Sequence, residues 1–378
     1  MKNILILVPG LGIGGQEKIA INTSMCLKHK YNVKIVIFWK STVEYDYPCE
    51  VINLDLPAKD GIFGKTVNQI RRIFKMAYIR RQTKADLVIS LGTSANLTNV
   101  FSSFFSRGKC ISSIHGFAEV KKSILMDCIL RFSDKVICIA KAMREGLLSL
   151  YPKAKNVCVI ENGYDVETII HQSREMVPVP FSSPAIISMG RLEHVKGFDR
   201  LIKAFAIVKR EHKNLQLVLL GKGSLHDELL DIAKKECVED SVRFLGYQVN
   251  PYAFLRNAQL YVLSSRNEGF PNCLIEALCS ELPIVSMDCL SGPREILSEE
   301  YTSTRTVGVQ EEKYGVLVEE SVSEEQIIAN LSQAIIHTLN DRELMHSLRV
   351  RAIIHARQFG NEAYKEKIIS LIEEVLAN

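Results

Sequence analysis

The sequence predicts an α/β protein made of two doubly wound, parallel-sheet domains. Three observations carry this expectation. Apolar runs are short and unbroken, and helix-length segments separate them, as in strands buried on both faces. The same alternation occurs twice, on either side of a proline-containing stretch at 177–184. The chain has 378 residues, 47% of them hydrophobic, enough for two cores of ordinary size.

In chain order, residues 4–8 read as a first strand, 16–28 as a helix and 33–38 as a second strand. Runs at 87–90, 110–114 and 136–139 continue the pattern, and 157–160 closes the first half. The second half repeats it, with strands at 185–189, 215–220, 260–263 and 284–287 and helices at 197–210 and 226–236. The expected domains are 1–165 and 166–358, facing a cleft. Residues 359–378 are expected to form a helix that returns to the N-terminal domain. Ligands of such sheets bind beyond the carboxyl ends of the strands.

The N-terminal apolar run is too short for a signal peptide, and no run is long enough to span a bilayer. Ten cysteines lie scattered without CxxC or zinc-type spacing, which fits reduced thiols in a cytoplasmic protein. Charge is unevenly spread. Residues 1–165 hold 24 Lys and Arg against 13 Asp and Glu, a net +11, and residues 166–378 hold 23 against 30, a net −7. A basic first half is expected to face an anionic surface. Residues 65–84 contain Lys65, Arg71, Arg72, Lys75, Arg80, Arg81 and Lys84 and no acid. Between them Ile70, Ile73, Phe74, Ala77 and Tyr78 recur at helical spacing. This stripe is expected to pack inward while the charges touch anionic lipid headgroups. The protein is thus expected to sit peripherally on the cytoplasmic face of the inner membrane. No nucleic-acid motif is present.

The most informative segment is Glu268-Gly-Phe-Pro-Asn-Cys-Leu-Ile-Glu276. Gly269 and Pro271 break regular structure, and Pro271 suits the first position of a helix. Glu268 then falls in a loop and Glu276 inside the helix. Amides at the helix start form an anion site. Carboxylates beside such a site suit a ligand that carries both hydroxyls and phosphate. Arg191 and Lys196 flank a strand-to-helix loop and could hold a pyrophosphate, Arg191 by its fork and Lys196 as a point charge.

That segment resembles the Glu-x7-Glu motif of the family 4 retaining glycosyltransferases. Gly190-Arg-Leu-Glu-His-Val-Lys-Gly197 resembles the family's phosphate loop. Ser291-Gly-Pro-Arg-Glu-Ile296 resembles a segment of bacterial members that build surface polysaccharides. Asn162-Gly163 with Asp165, Gly12-Ile-Gly-Gly15 and His115-Gly116 match its remaining motifs, in family order. The resemblance implies a GT-B fold of two Rossmann-like domains. It also implies transfer of a hexose or N-acetylhexosamine from a nucleotide sugar, expected to be UDP-linked, with retention. The acceptor would be a lipid-linked glycan or lipopolysaccharide intermediate. Arg191 and Lys196 would then stabilise the departing diphosphate, Glu276 the ribose and Glu268 the transferred sugar. Gly14, Gly15, Gly221, Leu245 and the amides of Gly269, Phe270, Cys273 and Leu274 would complete the donor contacts. His115 would hydrogen-bond the sugar or reacting oxygens. No cofactor is implied. Without an Asp-x-Asp motif, the two cations are expected to stand in for a metal.

Gly10-Leu-Gly-Ile-Gly-Gly15 also fits G-x-G-x-x-G, the dinucleotide fingerprint. That fingerprint needs an acid at the end of the second strand, and here the strand runs into Trp39-Lys40. An NAD(P)-dependent oxidoreductase, a non-catalytic sugar-nucleotide-binding subunit and a sugar-nucleotide epimerase are the alternatives.

Overall fold

A computed structural model describes residues 1–11, 15–40, 49–179 and 181–377. The chain divides into two compact units, Met1–Tyr164 with Gly360–Asn378, and Asp165–Phe359.

The first unit holds β1 (Asn3–Val8), β2 (Asn32–Ile37), β3 (Glu50–Asn53), β4 (Leu87–Leu91), β5 (Lys109–Ile114), β6 (Lys135–Cys138) and β7 (Val157–Val159). They form one sheet in the order β3-β2-β1-β4-β5-β6-β7. Each neighbouring pair is parallel. The order reverses between β1 and β4, the switch point at which such sheets open a crevice. The connecting helices are α1 (Gly15–Leu27), α2 (Ile62–Gln82), α3 (Thr93–Ser103), α4 (Ile124–Phe132) and α5 (Lys141–Leu150).

The C-terminal helix Asn361–Ala377 belongs to this unit, where Tyr364, Ile368 and Ile372 join the cluster of Ile19, Leu27 and the sheet. Gly163 makes that packing possible, because a Cβ there would stand 2.5 Å from the Tyr364 Cβ. The hydroxyls of Thr23 and Tyr364 meet at 2.7 Å, and Asn22 Nδ2 donates to Gly163 O at 2.8 Å.

On α2 the inward face differs from the expected one. Arg72 and Arg80 are 7% and 1% exposed, whereas Ile70, Phe74 and Tyr78 are 48%, 56% and 63% exposed. Of the stripe, Ala77 is buried and Ile73 half-buried. Backbone carbonyls and an Asn side chain beneath the helix account for this reversal. Arg72 donates from Nε and Nη2 to Leu56 O at 3.1 and 2.7 Å, and its guanidinium lies 4.1 Å from the centre of the Phe38 ring. Arg80 donates to Asn99 Oδ1 and to the carbonyls of Asn99 and Gly108. A buried carbonyl without a donor is unfavourable, so two arginines occupy the inward face expected for the apolar stripe. Burial holds the Arg72 pKa below its usual value.

The second unit holds β8 (Ala185–Met189), β9 (Gln216–Leu220), β10 (Val242–Gly246), β11 (Leu260–Leu263), β12 (Ile284–Met287), β13 (Val309–Glu312) and β14 (Gly315–Val318). Their order is β10-β9-β8-β11-β12-β14-β13. The sheet is parallel except at one edge, where β13 and β14 form an antiparallel hairpin absent from the sequence expectation. Its helices include α6 (Val166–Ser173), α7 (Phe198–Glu211), α8 (His226–Lys235), α9 (Pro251–Asn257) and α10 (Asn272–Cys279). On α7, Phe198, Leu201, Ile202, Phe205 and Val208 are buried at helical spacing against the sheet. Asp165 caps α6 by accepting from Thr168 N at 3.1 Å. Among the described residues, no helix is long and apolar enough to cross a membrane.

Candidate active site

Loops at the carboxyl ends of β8, β9 and β11 meet in the second unit, and glycines let them approach. After β8 the chain passes Gly190 and Arg191 into a single 3-10 turn, His194–Lys196, and leaves it through Gly197 at φ 63°. A Cβ on Gly197 would stand 2.1 Å from Ser264 O, at the end of β11. One on Gly221, φ 139°, would stand 1.8 Å from Gly190 O. Gly221 therefore has a packing reason of its own, independent of any ligand. The two loops are tied by Gly190 N donating to Leu220 O at 2.9 Å and Leu192 N donating to Lys222 O at 3.0 Å. Gly221 N donates to Gly246 O at the end of β10, where Gln248 donates its side-chain amide to Leu245 O.

This arrangement carries Lys196 to Glu268. Lys196 Nζ donates to Glu268 Oε1 at 2.8 Å, with both side chains mostly buried. Burial opposes the lysine charge, but the Glu268 carboxylate outweighs it and holds the Lys196 pKa above the usual value. Lys196 thus stays charged at neutral pH. Cys273, in the first turn of α10, lies against it. Burial, with the nearby Glu268 charge, pushes its thiol up to about 12, so it is a neutral, unreactive wall.

The Glu268–Pro271 loop is held from behind. Ser291 Oγ donates to Gly269 O at 2.6 Å, and a Cβ on Gly292 would stand 2.4 Å from Pro271 Cδ. Phe270 is buried, its ring centre 5.8 Å from that of Phe359. The helix begins at Asn272, so Pro271 is its cap and not its first residue. The Leu274 amide, expected to be available to a ligand, donates to Pro271 O at 3.1 Å. Glu276 sits one turn into α10 at 6% exposure and accepts from Tyr252 Oη at 3.3 Å.

The structure therefore brings together Lys196, Glu268, Cys273, Leu274 and Glu276 with the loops of Gly221, Leu245, Gly269 and Phe270. Arg191 is not drawn in. It is exposed and pairs with Glu193 at 2.8 Å. Sequence reasoning missed Tyr252 and the anchoring roles of Ser291 and Gly292. It also missed Arg266, which grips Asp199 with two 2.7 Å bonds and so fixes the start of the Glu268 loop. Arg266 stands two residues before Glu268, and that proximity was the available signal.

His115 and Gly15 belong to the first unit, and Gly12 and Gly14 lie outside the described residues. Gly15 opens α1. At the end of β5, the Glu119 carboxylate accepts from the amides of His115 and Gly116 at 3.0 and 3.1 Å and from the Thr93 hydroxyl. Glu119 thereby fixes the turn at His115 and Gly116, a role the sequence reading did not assign to it. The residue keeps some exposure, but its Nε2 atom is buried and has no hydrogen-bond partner. Burial lowers the imidazole pKa from 6.5 to about 4, so His115 is neutral at physiological pH.

That shift has a sign. The unfolded chain takes up the His115 proton near 6.5 and the folded chain only near 4. Stability from the neutral imidazole is thus present above 6.5 and lost as pH falls toward 4. His115→Asn is expected to flatten this part of the acid dependence, measured as urea midpoints at several pH values. Equal losses in variant and wild type would show that the imidazole does not titrate as described.

Two doubly wound α/β units of this kind are the architecture of the GT-B glycosyltransferases. The match to known proteins covers both halves. The model for Glycosyltransferase Family 4 matches residues 13–168, and that for Glycosyl transferases group 1 matches residues 171–355. An uncharacterised glycosyltransferase of Methanocaldococcus jannaschii is 30% identical over 271 residues, 66% of this chain and 67% of that one. The N-acetylgalactosamine-N,N'-diacetylbacillosaminyl-diphospho-undecaprenol 4-alpha-N-acetylgalactosaminyltransferase of Campylobacter jejuni is 24% identical over 375 residues, 95% of this chain and 96% of that one. In fold, the chain is similar to Anabaena HepE, crystallised with UDP, at TM-score 0.77 and 19% identity over 99% of this chain and 100% of that one. The chain belongs to family 4 of the glycosyltransferases.

Proposed function

We propose that this glycosyltransferase moves a sugar from a UDP-linked donor to a lipid-linked saccharide, with retention of anomeric configuration and without a metal. The Lys196–Glu268 pair beside Glu276, at the strand ends of the second unit, carries this reading. It sets a cation for phosphate, a carboxylate for sugar hydroxyls and a second carboxylate for vicinal ribose hydroxyls in one crevice. As the glycosidic bond breaks, its electron pair passes to the diphosphate oxygen. Lys196 stabilises the charge that develops there, and Arg191 exchanges Glu193 for the phosphate. The acceptor hydroxyl attacks the same face of the sugar and gives its proton to the departing diphosphate. Charge stabilisation of this kind is often the largest part of catalysis.

The lipid-linked acceptor is supported by the C. jejuni relative, whose name specifies a diphospho-undecaprenol substrate, and by the +11 balance of residues 1–165. Peripheral attachment to an anionic membrane belongs to the same reading. His115, neutral and fixed by Glu119, is offered as a hydrogen-bonding group for saccharide hydroxyls.

A panel of UDP- and GDP-sugars, screened by thermal shift and then by hydrolysis, tests the donor. One UDP-sugar is expected to stabilise the protein and be hydrolysed, with activity persisting in excess chelator. Preference for a GDP-sugar, or loss of activity restored by Mg²⁺ or Mn²⁺, would overturn the corresponding part. The anomeric configuration of the product, read by NMR, decides retention.

A further inference from the structure

The outward face of α2 continues into the ends of two neighbouring helices. Ile70, Phe74 and Tyr78 follow one another at four-residue spacing and are exposed. The Phe74 ring centre lies 5.2 Å from that of Phe105, and the Phe104 ring centre lies 5.0 Å from that of Phe132, at the end of α4. Phe104, Phe105 and Phe132 are exposed as well. The result is one connected apolar surface drawn from three successive helices. A patch of this kind is unfavourable in water unless something covers it.

Charge identifies what covers it. Residues 61–109 hold nine Lys and Arg and a single acid, Asp86. With Arg72 and Arg80 turned inward, Arg71, Arg81, Lys84 and Arg107 remain exposed around the aromatic surface. At its edge lies an open recess of about 1130 Å³, lined by Phe104 and Phe105 and by Arg81, Lys84 and Arg107. The two acids of that recess are already engaged, Asp86 by Lys2 at 2.9 Å and Asp134 by Lys109 at 3.2 Å. Among the described residues, Arg81, Lys84 and Arg107 have no ion-pair partner.

We propose that this face docks on an anionic bilayer, with α2 lying in the interface plane. Its aromatic side chains enter below the phosphates, and Arg81, Lys84 and Arg107 hold lipid phosphate in the recess. Aromatic side chains favour that depth, since their rings are apolar and their edges tolerate headgroups. Each cation near such a surface raises partitioning roughly fivefold. A second copy of the chain would bring the same cations face to face, which argues against self-association through this surface. Nucleic acid would need free ring faces for stacking, whereas these rings pack tilted or edge-on against one another. The proposal deepens the lipid-linked reading and rests on it. It replaces surface charge alone with charge plus insertion.

The full-length protein is sedimented with phosphatidylglycerol–phosphatidylcholine vesicles and with phosphatidylcholine vesicles, at low and high salt. Wild type is expected to bind the anionic vesicles and to keep part of that binding at high salt. Phe74→Ser with Tyr78→Ser and Phe105→Ser should weaken partitioning on the order of tenfold or more, and most clearly at high salt. Arg81→Gln with Lys84→Gln and Arg107→Gln should weaken it mainly at low salt. Both triple variants should hydrolyse soluble donor at the wild-type rate and keep the wild-type melting temperature. The proposal is overturned if wild type ignores anionic vesicles or if the aromatic variant binds them equally well. It is also overturned if wild type forms an oligomer that this variant dissolves, or prefers single-stranded RNA to vesicles. Vesicle binding intact but no transfer to any lipid-linked acceptor would sink the acceptor reading and leave the docking face standing.

Discussion

Lys196→Ala is expected to lower kcat for donor cleavage about 100- to 1000-fold, the range found on removing one preorganised donor from a developing charge. The same substitution should destabilise the second unit by about 3 kcal/mol, because it leaves the buried Glu268 carboxylate without its partner. These effects must be separated, since a partly unfolded enzyme also loses turnover. Lys196→Met combined with Glu268→Gln removes both charges and should regain most of the stability, because no unpaired ion remains. It should not regain turnover. Thermal unfolding and donor hydrolysis, measured on both variants, decide the matter. If stability and activity return together in the double variant, the lysine serves the fold and not the phosphate. The pH dependence gives a further check. Since the folded Lys196 pKa is raised, its stabilisation is complete below 10.5 and fades as pH rises through the folded value. The double variant should lack that alkaline loss.

Parts of this molecule were legible because a single local cause decided them. β1 and β9 read directly as strands, since burial on both faces demands unbroken apolar runs. β3 did not, because Glu50–Asn53 is a short edge strand with exposed or half-buried side chains. β13 escaped for a similar reason, the outer strand Val309–Glu312 having no buried side chain. The loops of Gly197, Glu268 and Gly269 were legible as breaks after strands. Their geometry was not, because it depends on approaches such as Gly292 to Pro271. Sequence placed Arg191 in the strand-to-helix loop after β8 but could not say that its guanidinium rests on Glu193.

The largest misreading was the face of α2. Two helical stripes competed there, one apolar and one carrying Arg72 and Arg80, offset by about half a turn. Hydrophobicity alone favours burying the first. The carbonyls of Leu56 and Gly108 and the Asn99 side chain, which need donors, favour burying the second. None of these partners is local in sequence, so periodicity could not reveal the choice. Tyr252 and Glu119 were missed on the same principle. Each matters through a partner fixed only by folding.

Glu276→Ala is expected to weaken UDP binding by about 1.5–3 kcal/mol, roughly 10- to 150-fold, the range for losing hydrogen bonds to a charged group. The effect belongs on affinity and not on kcat, because the ribose contact is equally present before and during bond breaking. Truncation at 6% exposure also opens a cavity and removes the Tyr252 hydrogen bond. Glu276→Gln is therefore the cleaner variant. It keeps the side-chain volume and one acceptor oxygen, preserves the Tyr252 contact and removes the charge. It should retain the wild-type melting temperature and still bind UDP several-fold more weakly. Tyr252→Phe removes only the neutral donor and should weaken UDP binding by about 1 kcal/mol, roughly fivefold. Calorimetric titration with UDP orders the three, with Ala weakest. UDP affinity within twofold of wild type in both Glu276 variants would remove this carboxylate from the ribose. The nucleoside would then have to be held through the loops of Gly221 and Leu245.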